Sequence, residues 1–284
     1  MTAPPPTPPA SGRGVRAALV DAAGQLAGVS ETARLDAELL MAHALGVSRQ
    51  DLLLKLLEAP EPEGFAALLA RRMGHEPVAY ITGTRAFWTI ELAVGPGVLV
   101  PRADSETLLE VAVAHFGDRA PMRILDLGTG PGTLLLAALD QWPAATGLGV
   151  DASEEALAYA RRNAEALRIA RAEFRLGDWA DGLTERFDLI LANPPYIGTG
   201  EDLPAEVRDH EPGKALFAGP EGLDDYRRIV PELSRLLAPG GIAVLEIGST
   251  QAEAVCALAD KHGLSPSLTR DLQGLPRVVA VIES

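Results

Sequence analysis

The chain has 284 residues, enough for one large domain or two modest ones with a real core, and its 47% hydrophobic and 23% charged content is that of a soluble globular protein. A net charge of −14 opposes broad contact with phosphate backbones unless a local basic patch overrides the field, so stable nucleic-acid binding is not expected. The single cysteine, Cys256, excludes an intramolecular disulfide and a cysteine-built metal cluster and fits a reducing cytoplasm; the five histidines supply no H-x-x-x-H pair, and no metal is expected.

No apolar run reaches the ~18 residues of a membrane span. The stretch 1–14 is Pro-rich with no apolar h-region, so it reads as a disordered tail and not as a signal peptide. Helical spacing then begins, with Val15, Leu19, Ala22, Ala23 and Leu26 on one face. Ser30 is placed to cap a second helix carrying Leu35, Leu39, Ala42 and Leu45, which Gly46 stops. Ser48 with Asp51 makes a capping-box-like start for a third helix through Leu57, and Phe65, Leu68 and Leu69 mark a fourth after Pro60 and Pro62. The spacing predicts a small helical domain over 15–83. It is nearly neutral, with seven basic and nine acidic residues from Arg13 to Tyr80, and serves either to dock a substrate or as a structural cap.

Glu76 to Gly83 ends the helices. Ala86 to Val94 reads as paired strands around a turn, a hairpin linker over 84–100 with Trp88 as a core residue, and Gly95-Pro96-Gly97 breaks it. In Pro101 to Glu106 either Asp104 or Ser105 can cap a helix from Leu108 to His115. The segment is a plain helix start or the border of a cleft.

Residues 101–284 alternate strands and helices, which argues an α/β domain with a parallel sheet. Arg123 to Leu127 is a strand, Gly128-Thr129-Gly130-Pro131-Gly132 a glycine loop, and Thr133 to Leu139 opens a helix. The next strand, Thr146 to Val150, ends at Asp151, 21 residues after Gly130, where a carboxylate can accept both hydroxyls of a ribose. After a helix from Glu154 to Leu167, the strand Ala172 to Leu176 ends at Gly177-Asp178-Trp179. There an acid and an indole can grip an adenine, although Asp178 can equally just end its strand. Phe187 to Ala192 is a fourth strand. It stops at Asn193-Pro194-Pro195-Tyr196, because two prolines cannot continue a ladder. An amide oxygen and a rigidly held carbonyl at a strand's carboxyl end can together hold a planar –NH2 group, with an aromatic ring stacked on its plane. A helix from Gly222 to Leu237, a turn at Pro239-Gly240-Gly241, a fifth strand Ile242 to Ile247, a helix Gln251 to His262 and an antiparallel pair over Ser265 to Asp271 and Arg277 to Ile282 complete the chain.

The loop spacing is G-x-G-x-G, with Thr133 where a dinucleotide-binding loop has its third glycine. An NAD-dependent dehydrogenase is therefore disfavoured. S-adenosylmethionine, which has no pyrophosphate, fits better, with Gly128, Thr129, Gly130, Pro131 and Gly132 facing its methionine portion, Asp151 its ribose, Asp178 and Trp179 its adenine, and Asn193 its reactive end. Asp126-Leu127-Gly128-Thr129-Gly130, Asp151, Gly177-Asp178-Trp179 and Asn193-Pro194-Pro195-Tyr196 resemble class I methyltransferases that act on planar –NH2 groups. With Tyr80-Ile81-Thr82-Gly83, Phe87-Trp88, Pro101-Arg102-Ala103-Asp104-Ser105-Glu106, His210-Glu211-Pro212 and Glu246-Ile247-Gly248 with Gln251, the chain is similar to the bacterial peptide chain release factor glutamine methyltransferases from about Ala33 onward.

The resemblance implies a small all-α bundle, a β-hairpin linker and a seven-stranded Rossmann-like class I methyltransferase domain over 101–284. It implies a cytoplasmic, monomeric enzyme that methylates the side-chain nitrogen of the glutamine in the Gly-Gly-Gln motif of class I release factors and leaves S-adenosylhomocysteine. Asn193 and the Pro194 carbonyl would accept the two amide hydrogens, Pro195 would stiffen the loop and Tyr196 would pack on the amide plane. Arg102 and Glu211 either line the substrate cleft or form a structural salt bridge. Ser105 stands where the family usually has Thr, and Pro131 where Ser is common. Rival readings are an N6-adenine nucleic-acid methyltransferase, which shares Asn-Pro-Pro-Tyr, a methyltransferase of another protein substrate, and a non-catalytic cofactor-binding scaffold.

Overall fold

The computed structural model describes residues 13–283. The tail expected over 1–14 lies outside the described residues up to residue 12; Gly14 is described, and bridges to Pro60. In chain order the helices are α1 (Val15–Leu26), α2 (Ala33–Leu45), α3 (Arg49–Lys55), α4 (Phe65–Met73), α5 (Val78–Thr82), α6 (Glu106–Phe116), α7 (Thr133–Gln141), α8 (Glu154–Ala166), α9 (Ala205–His210), α10 (Asp224–Leu236) and α11 (Ala252–Lys261). The strands are β1 (Thr84–Phe87), β2 (Ile90–Ala93), β3 (Arg123–Leu127), β4 (Thr146–Asp151), β5 (Ala172–Leu176), β6 (Phe187–Ala192), β7 (Leu237–Glu246), β8 (Leu264–Arg270) and β9 (Pro276–Glu283). They form two compact units, one running through Gly83 and including Ala205–His210, the other holding Thr84–Pro204 and Glu211 onward.

In the helical unit, Leu19 and Leu26 of α1 pack with Leu40 and Met41 of α2, Leu52 of α3 and Phe65 of α4. Ser48 accepts the Asp51 N–H at 3.0 Å and caps α3 as its spacing predicts. Ser30 does not cap α2: the helix starts at Ala33, and the Ser30 hydroxyl instead accepts the N–H of Thr32. The buried face of α2 is also turned from the expected one, with Leu35 39% exposed and Ala37, Leu40 and Met41 inside. That rotation buries Asp36 and Glu38, and each is met by arginine: Asp36 by Arg72 at 2.7 Å, Glu38 by Arg34 at 2.5 Å and Arg49 at 2.7 Å. Arg72 also reaches Glu206 of α9 at 2.7 Å. The short α5, absent from the sequence reading, is closed by Gly83 at φ +78°.

The second unit opens with the β1–β2 hairpin, in which Phe87 faces Ile90 across a two-residue turn and Trp88 takes φ +54°. Trp88 is half-buried on that turn, not in the core, and its indole N–H donates to Gln141 Oε1 at 3.3 Å. The main sheet has seven strands in the order β5-β4-β3-β6-β7-β9-β8, parallel from β5 to β7, with β9 antiparallel to both β7 and β8. The chain winds outward from β3 to β5, then returns to place β6 on the other side of β3. At such a switch point the carboxyl ends of neighbouring strands open a crevice for ligands.

Alternate strand residues, including Leu125, Leu127, Ile190, Ala192 and Leu245, form one cluster with α10 and α11. The intervening residues Ile124, Leu189, Leu191 and Val244 are buried as well, and α6 and α7 contact the strands. Both faces are thus apolar, which is why these strands read as continuous hydrophobic runs. In β4, glycines let α7 and the loop before it approach: a Cβ at Gly147 would lie 2.5 Å from Leu135 of α7, and one at Gly149 2.8 Å from the hydroxyl of Thr129 in the loop. The Pro239-Gly240-Gly241 stretch is not a turn between elements. It lies inside β7, which begins directly after α10 and loses register with β6 between Phe187 and Leu189. Gly240 at φ +77° makes the excursion.

Candidate active site

The glycine loop leaves β3 at Leu127 and is tied to the end of β4. The N–H groups of Gly128 and Thr129 both donate to the Val150 carbonyl, and that of Gly130 donates to Asp151 Oδ2 at 2.8 Å. Asp151 Oδ1 accepts the Ser153 N–H at 2.8 Å, so the carboxylate is held at both oxygens and keeps further lone pairs. Gly128, Gly130 and Gly132 all have positive φ. A Cβ at Gly128 would come within 2.9 Å of the Trp179 ring, so the indole packs directly on the loop, with its N–H donating to Asp225 Oδ1 at 3.0 Å. Pro131 accepts from Asn163 Nδ2 through its carbonyl at 2.9 Å. Asp178 takes no part in this cluster: its carboxylate pairs with Arg228 at 2.6 Å and is 55% exposed.

Asp126, on β3 behind the loop, is buried. Its Oδ2 accepts the Thr129 hydroxyl at 2.7 Å and the Leu135 N–H at 3.2 Å, while its Oδ1 is buried with no partner. Burial pushes this carboxyl up to about 7, against the pull of Thr129 and the Leu135 N–H, and the nearby Asp151 adds to the rise. Asp151 is also raised by burial, opposed by the backbone N–H groups of Ser153, Gly130 and Ala152.

β6 ends at Ala192, and Asn193 follows at its carboxyl edge. The Asn193 Nδ2 donates to Ser105 Oγ at 3.3 Å, and Ser105 Oγ donates to Glu246 Oε2 at 2.5 Å. Ser105 stands at the N-cap position of α6, at the end of a 3-10 turn, but its side chain makes no capping hydrogen bond, contrary to one of the two capping readings, and faces β7 instead. Tyr196 Oη donates to Glu246 Oε1 over a longer 3.4 Å. The Tyr196 carbonyl accepts from Gln251 Nε2 at 2.8 Å, and Gln251 Oε1 in turn accepts the Gly248 N–H at 3.0 Å. Pro194 is buried, and Pro195 and Tyr196 are half-buried. Burial pushes the Glu246 carboxyl up to about 7, against the Ser105 hydrogen bond, Arg277 and Tyr196, with Asp104 reinforcing the rise. Burial next to that acid raises the Tyr196 phenol well above its ordinary value, so it stays a donor.

Arg102 pairs with Glu211, and Glu211 also accepts the Val100 N–H at 3.2 Å. The Glu211 carboxylate is buried and turned inward on these partners, which pins the segment leading to Ser105. The structure thus gathers the glycine loop, Asp151 and Trp179 into one cluster and Asn193, Tyr196, Ser105 and Glu246 into another. Ser105, Glu246 and Gln251 stand in stretches that carry the family resemblance, and Pro101 to Glu106 has a cleft border as one of its two sequence readings, but the sequence assigns none of the three a role in the site. The available signal was an acid, Glu246, ending an otherwise apolar strand.

A parallel sheet with an antiparallel pair at one edge, a glycine loop after its first strand and an amide at the switch point is the architecture of a class I methyltransferase. Residues 118–269 match the methyltransferase domain model and residues 17–83 the PrmC N-terminal domain. The release factor glutamine methyltransferase of Caulobacter vibrioides is 43% identical over 258 residues, covering 88% of this chain and 89% of that one. That of Cereibacter sphaeroides is 44% identical over 262 residues, covering 89% and 92%. The chain belongs to the release factor glutamine methyltransferase family, and its methyltransferase domain implies S-adenosylmethionine as methyl donor. The fold is shared with the Thermus thermophilus 16S rRNA N2 G1207 methyltransferase in complex with AdoMet and guanosine, at TM-score 0.52 and 20% identity over 71% of this chain and 50% of that one. No helix among the described residues is long and apolar enough to cross a membrane.

Proposed function

We propose that this enzyme methylates the side-chain amide nitrogen (N5) of the glutamine in the Gly-Gly-Gln motif of class I peptide chain release factors, in the cytoplasm and as a monomer. The observation that carries the reading is the Asn193 amide. Its Nδ2 is tied back to Ser105, while its Oδ1 takes no hydrogen bond from the described residues. An acceptor left open in this way suits an incoming –NH2 group.

The residues fit S-adenosylmethionine. Asp126 Oδ1 is a buried acceptor with no partner, suited to the cofactor's amino group, and the glycine loop lets a ligand approach the backbone. Asp151 would take the ribose hydroxyls, Trp179 would flank the adenine and Gly128 to Gly132 the methionine portion. Asp178, turned to Arg228, would at most contribute its backbone. The cofactor supplies a methyl group on a sulfonium whose thioether leaves readily.

A carboxamide nitrogen is a weak nucleophile, so the protein's main contribution is alignment. The Asn193 Oδ1 and the Pro194 carbonyl would each accept one amide N–H, and Tyr196 would pack on the amide plane. Pro195 would hold the segment stiff, and Arg102 with Glu211 would keep the neighbouring segment in place. Once nitrogen has gained the methyl, its proton is acidic and can pass to water, so no general base is needed before transfer.

The test is incubation with methyl-labelled S-adenosylmethionine, a class I release factor, the same factor with its Gly-Gly-Gln glutamine replaced, and double-stranded DNA. Label in the first alone is expected. Label that persists after the glutamine is replaced, or that enters the DNA, would overturn the reading.

A further inference from the structure

The two ends of an asparagine carboxamide have nearly the same shape, so a site that needs its oxygen must fix which end points outward. At Asn193 the inward partner is Ser105 Oγ, a hydroxyl with one hydrogen. Behind it stands Glu246, which is 1% exposed and on the last residue of β7. A carboxylate only accepts. It therefore draws the single Ser105 hydrogen at 2.5 Å and leaves the serine oxygen as an acceptor toward Asn193. Only Nδ2 can satisfy that acceptor; a flipped amide would set Oδ1 against serine lone pairs. The same carboxylate takes the Tyr196 phenol on its other oxygen at 3.4 Å.

We propose that Glu246 is a positioning residue: through Ser105 it sets the polarity of the Asn193 carboxamide, and through the phenol it anchors the Tyr196 ring beside it. This rests on the reading of Asn193 as the acceptor for the substrate amide. Glu246 touches neither substrate nor cofactor in this scheme. It decides the direction of a hydrogen-bond chain that runs Asn193 to Ser105 to Glu246 and ends at a charge. Its backbone is held as well, since the Tyr226 hydroxyl of α10 donates to the Glu246 carbonyl at 2.7 Å.

The charge can be read by pH. Glu246 is faced by Ser105 and Asp104 from the turn before α6, by Tyr196 from the segment after β6, by Arg277 from β9 and by Tyr226 from α10. Arg277 is itself shared with Asp104 at 3.2 Å and Asp271 at 3.0 Å. With burial lifting Glu246 to about 7, mild acid protonates it. The protonated acid can donate to Ser105, the chain loses its direction and Asn193 becomes free to flip.

The experiment compares wild type, S105A, S105T and E246Q in methyl transfer to a class I release factor across about pH 6 to 9, after each variant is shown by its thermal midpoint to be folded. S105A is expected to lower kcat about tenfold or more, since it strands a donor and frees the amide, with KM for S-adenosylmethionine within about twofold. S105T, which keeps the hydroxyl, recovers most of the loss. Wild type is expected to lose kcat toward acid as Glu246 takes up a proton, and E246Q to show no such fall, because its amide does not titrate. Wild-type kcat in S105A with an unchanged acid limb in E246Q would overturn the proposal. Failure of wild type to label the release factor would instead sink the substrate reading. The polarity is then judged without substrate, from the nitrogen-15 resonances of the Asn193 side chain: displacement in both S105A and E246Q supports it, and no displacement overturns it.

Discussion

The Gly130 N–H and the Asp151 carboxylate are 21 residues apart in the chain and 2.8 Å apart in space. The contact ties the loop after β3 to the end of β4, so the acid that would bind a ribose also shapes the loop that would bind the amino-acid part of the cofactor. Asp151→Ala removes a partly buried acceptor that serves backbone N–H groups including those of Gly130 and Ser153. The variant is expected to bind S-adenosylmethionine about 10- to 100-fold more weakly by calorimetry and to lose about 1–3 kcal/mol of stability. Affinity within about twofold of wild type would show that the carboxylate faces no ligand.

Asp126 should separate stability from binding. Its ordinary value near 3.8 rises to about 7 in the folded chain because burial disfavours the anion. Between those values the folded protein holds a proton that the unfolded chain has released. Stability from this group is therefore full below about pH 4, falls as pH rises, and is at its lowest above about 7. Asp126→Asn has no such penalty. Its advantage in urea midpoint over wild type is expected to grow between about pH 5 and pH 8. In the same variant the –NH2 end replaces the unpartnered Oδ1, so affinity for the cofactor's ammonium should drop about tenfold or more. A variant that gained neither pH-dependent stability nor lost affinity would contradict both assignments.

Much of the catalytic unit was legible because its signals are local. Runs such as Ile124 to Leu127 and Leu189 to Ala192 are apolar on both faces and end at Gly, Asp or Asn-Pro, which dictates buried strands with exposed carboxyl ends. The strand-end rule then places the loop, Asp151 and Asn193 at one edge of the sheet. What could not be read was any property set by distant partners. Ser105 looks like a helix cap until Glu246, 141 residues later, takes its hydroxyl. Pro239-Gly240-Gly241 has turn composition, yet pairing of β7 with β6 keeps it inside a strand. The face of α2 was misread for the same reason: Asp36 and Glu38 are buried only because arginines from elsewhere meet them.

Arg72 makes that last point measurable. It is 4% exposed, and its Nε is 2.7 Å from Asp36, itself 5% exposed. Arg72→Leu leaves a buried carboxylate without its cation, which typically costs about 3–5 kcal/mol. The double variant with Asp36→Leu removes both charges and should regain much of that loss. A denaturation series on the two variants checks the difference; equal destabilisation would mean that the pair is not coupled.

Asn193 offers the sharpest contrast between shape and hydrogen-bond direction. Asn193→Ala deletes the proposed acceptor and is expected to lower kcat about 10²–10³-fold with cofactor affinity nearly unchanged. Asn193→Asp keeps the acceptor and the shape but replaces the Nδ2 donor by an oxygen. Ser105 then has one hydrogen for two carboxylates, Glu246 at 2.5 Å and the new acid at the 3.3 Å position of Nδ2. Two acids linked through one hydroxyl cannot both stay ionised cheaply, so one retains a proton well above its ordinary range. At mild pH that shared proton can stand in for the lost Nδ2 hydrogen, and above it the segment is pushed apart. Single-turnover rates of Asn193→Asp are therefore expected to fall steeply toward alkaline pH, where wild type is flat. A rate that instead follows the wild-type profile and stays flat toward alkaline pH would mean that Asn193 is not held through Ser105 during methyl transfer.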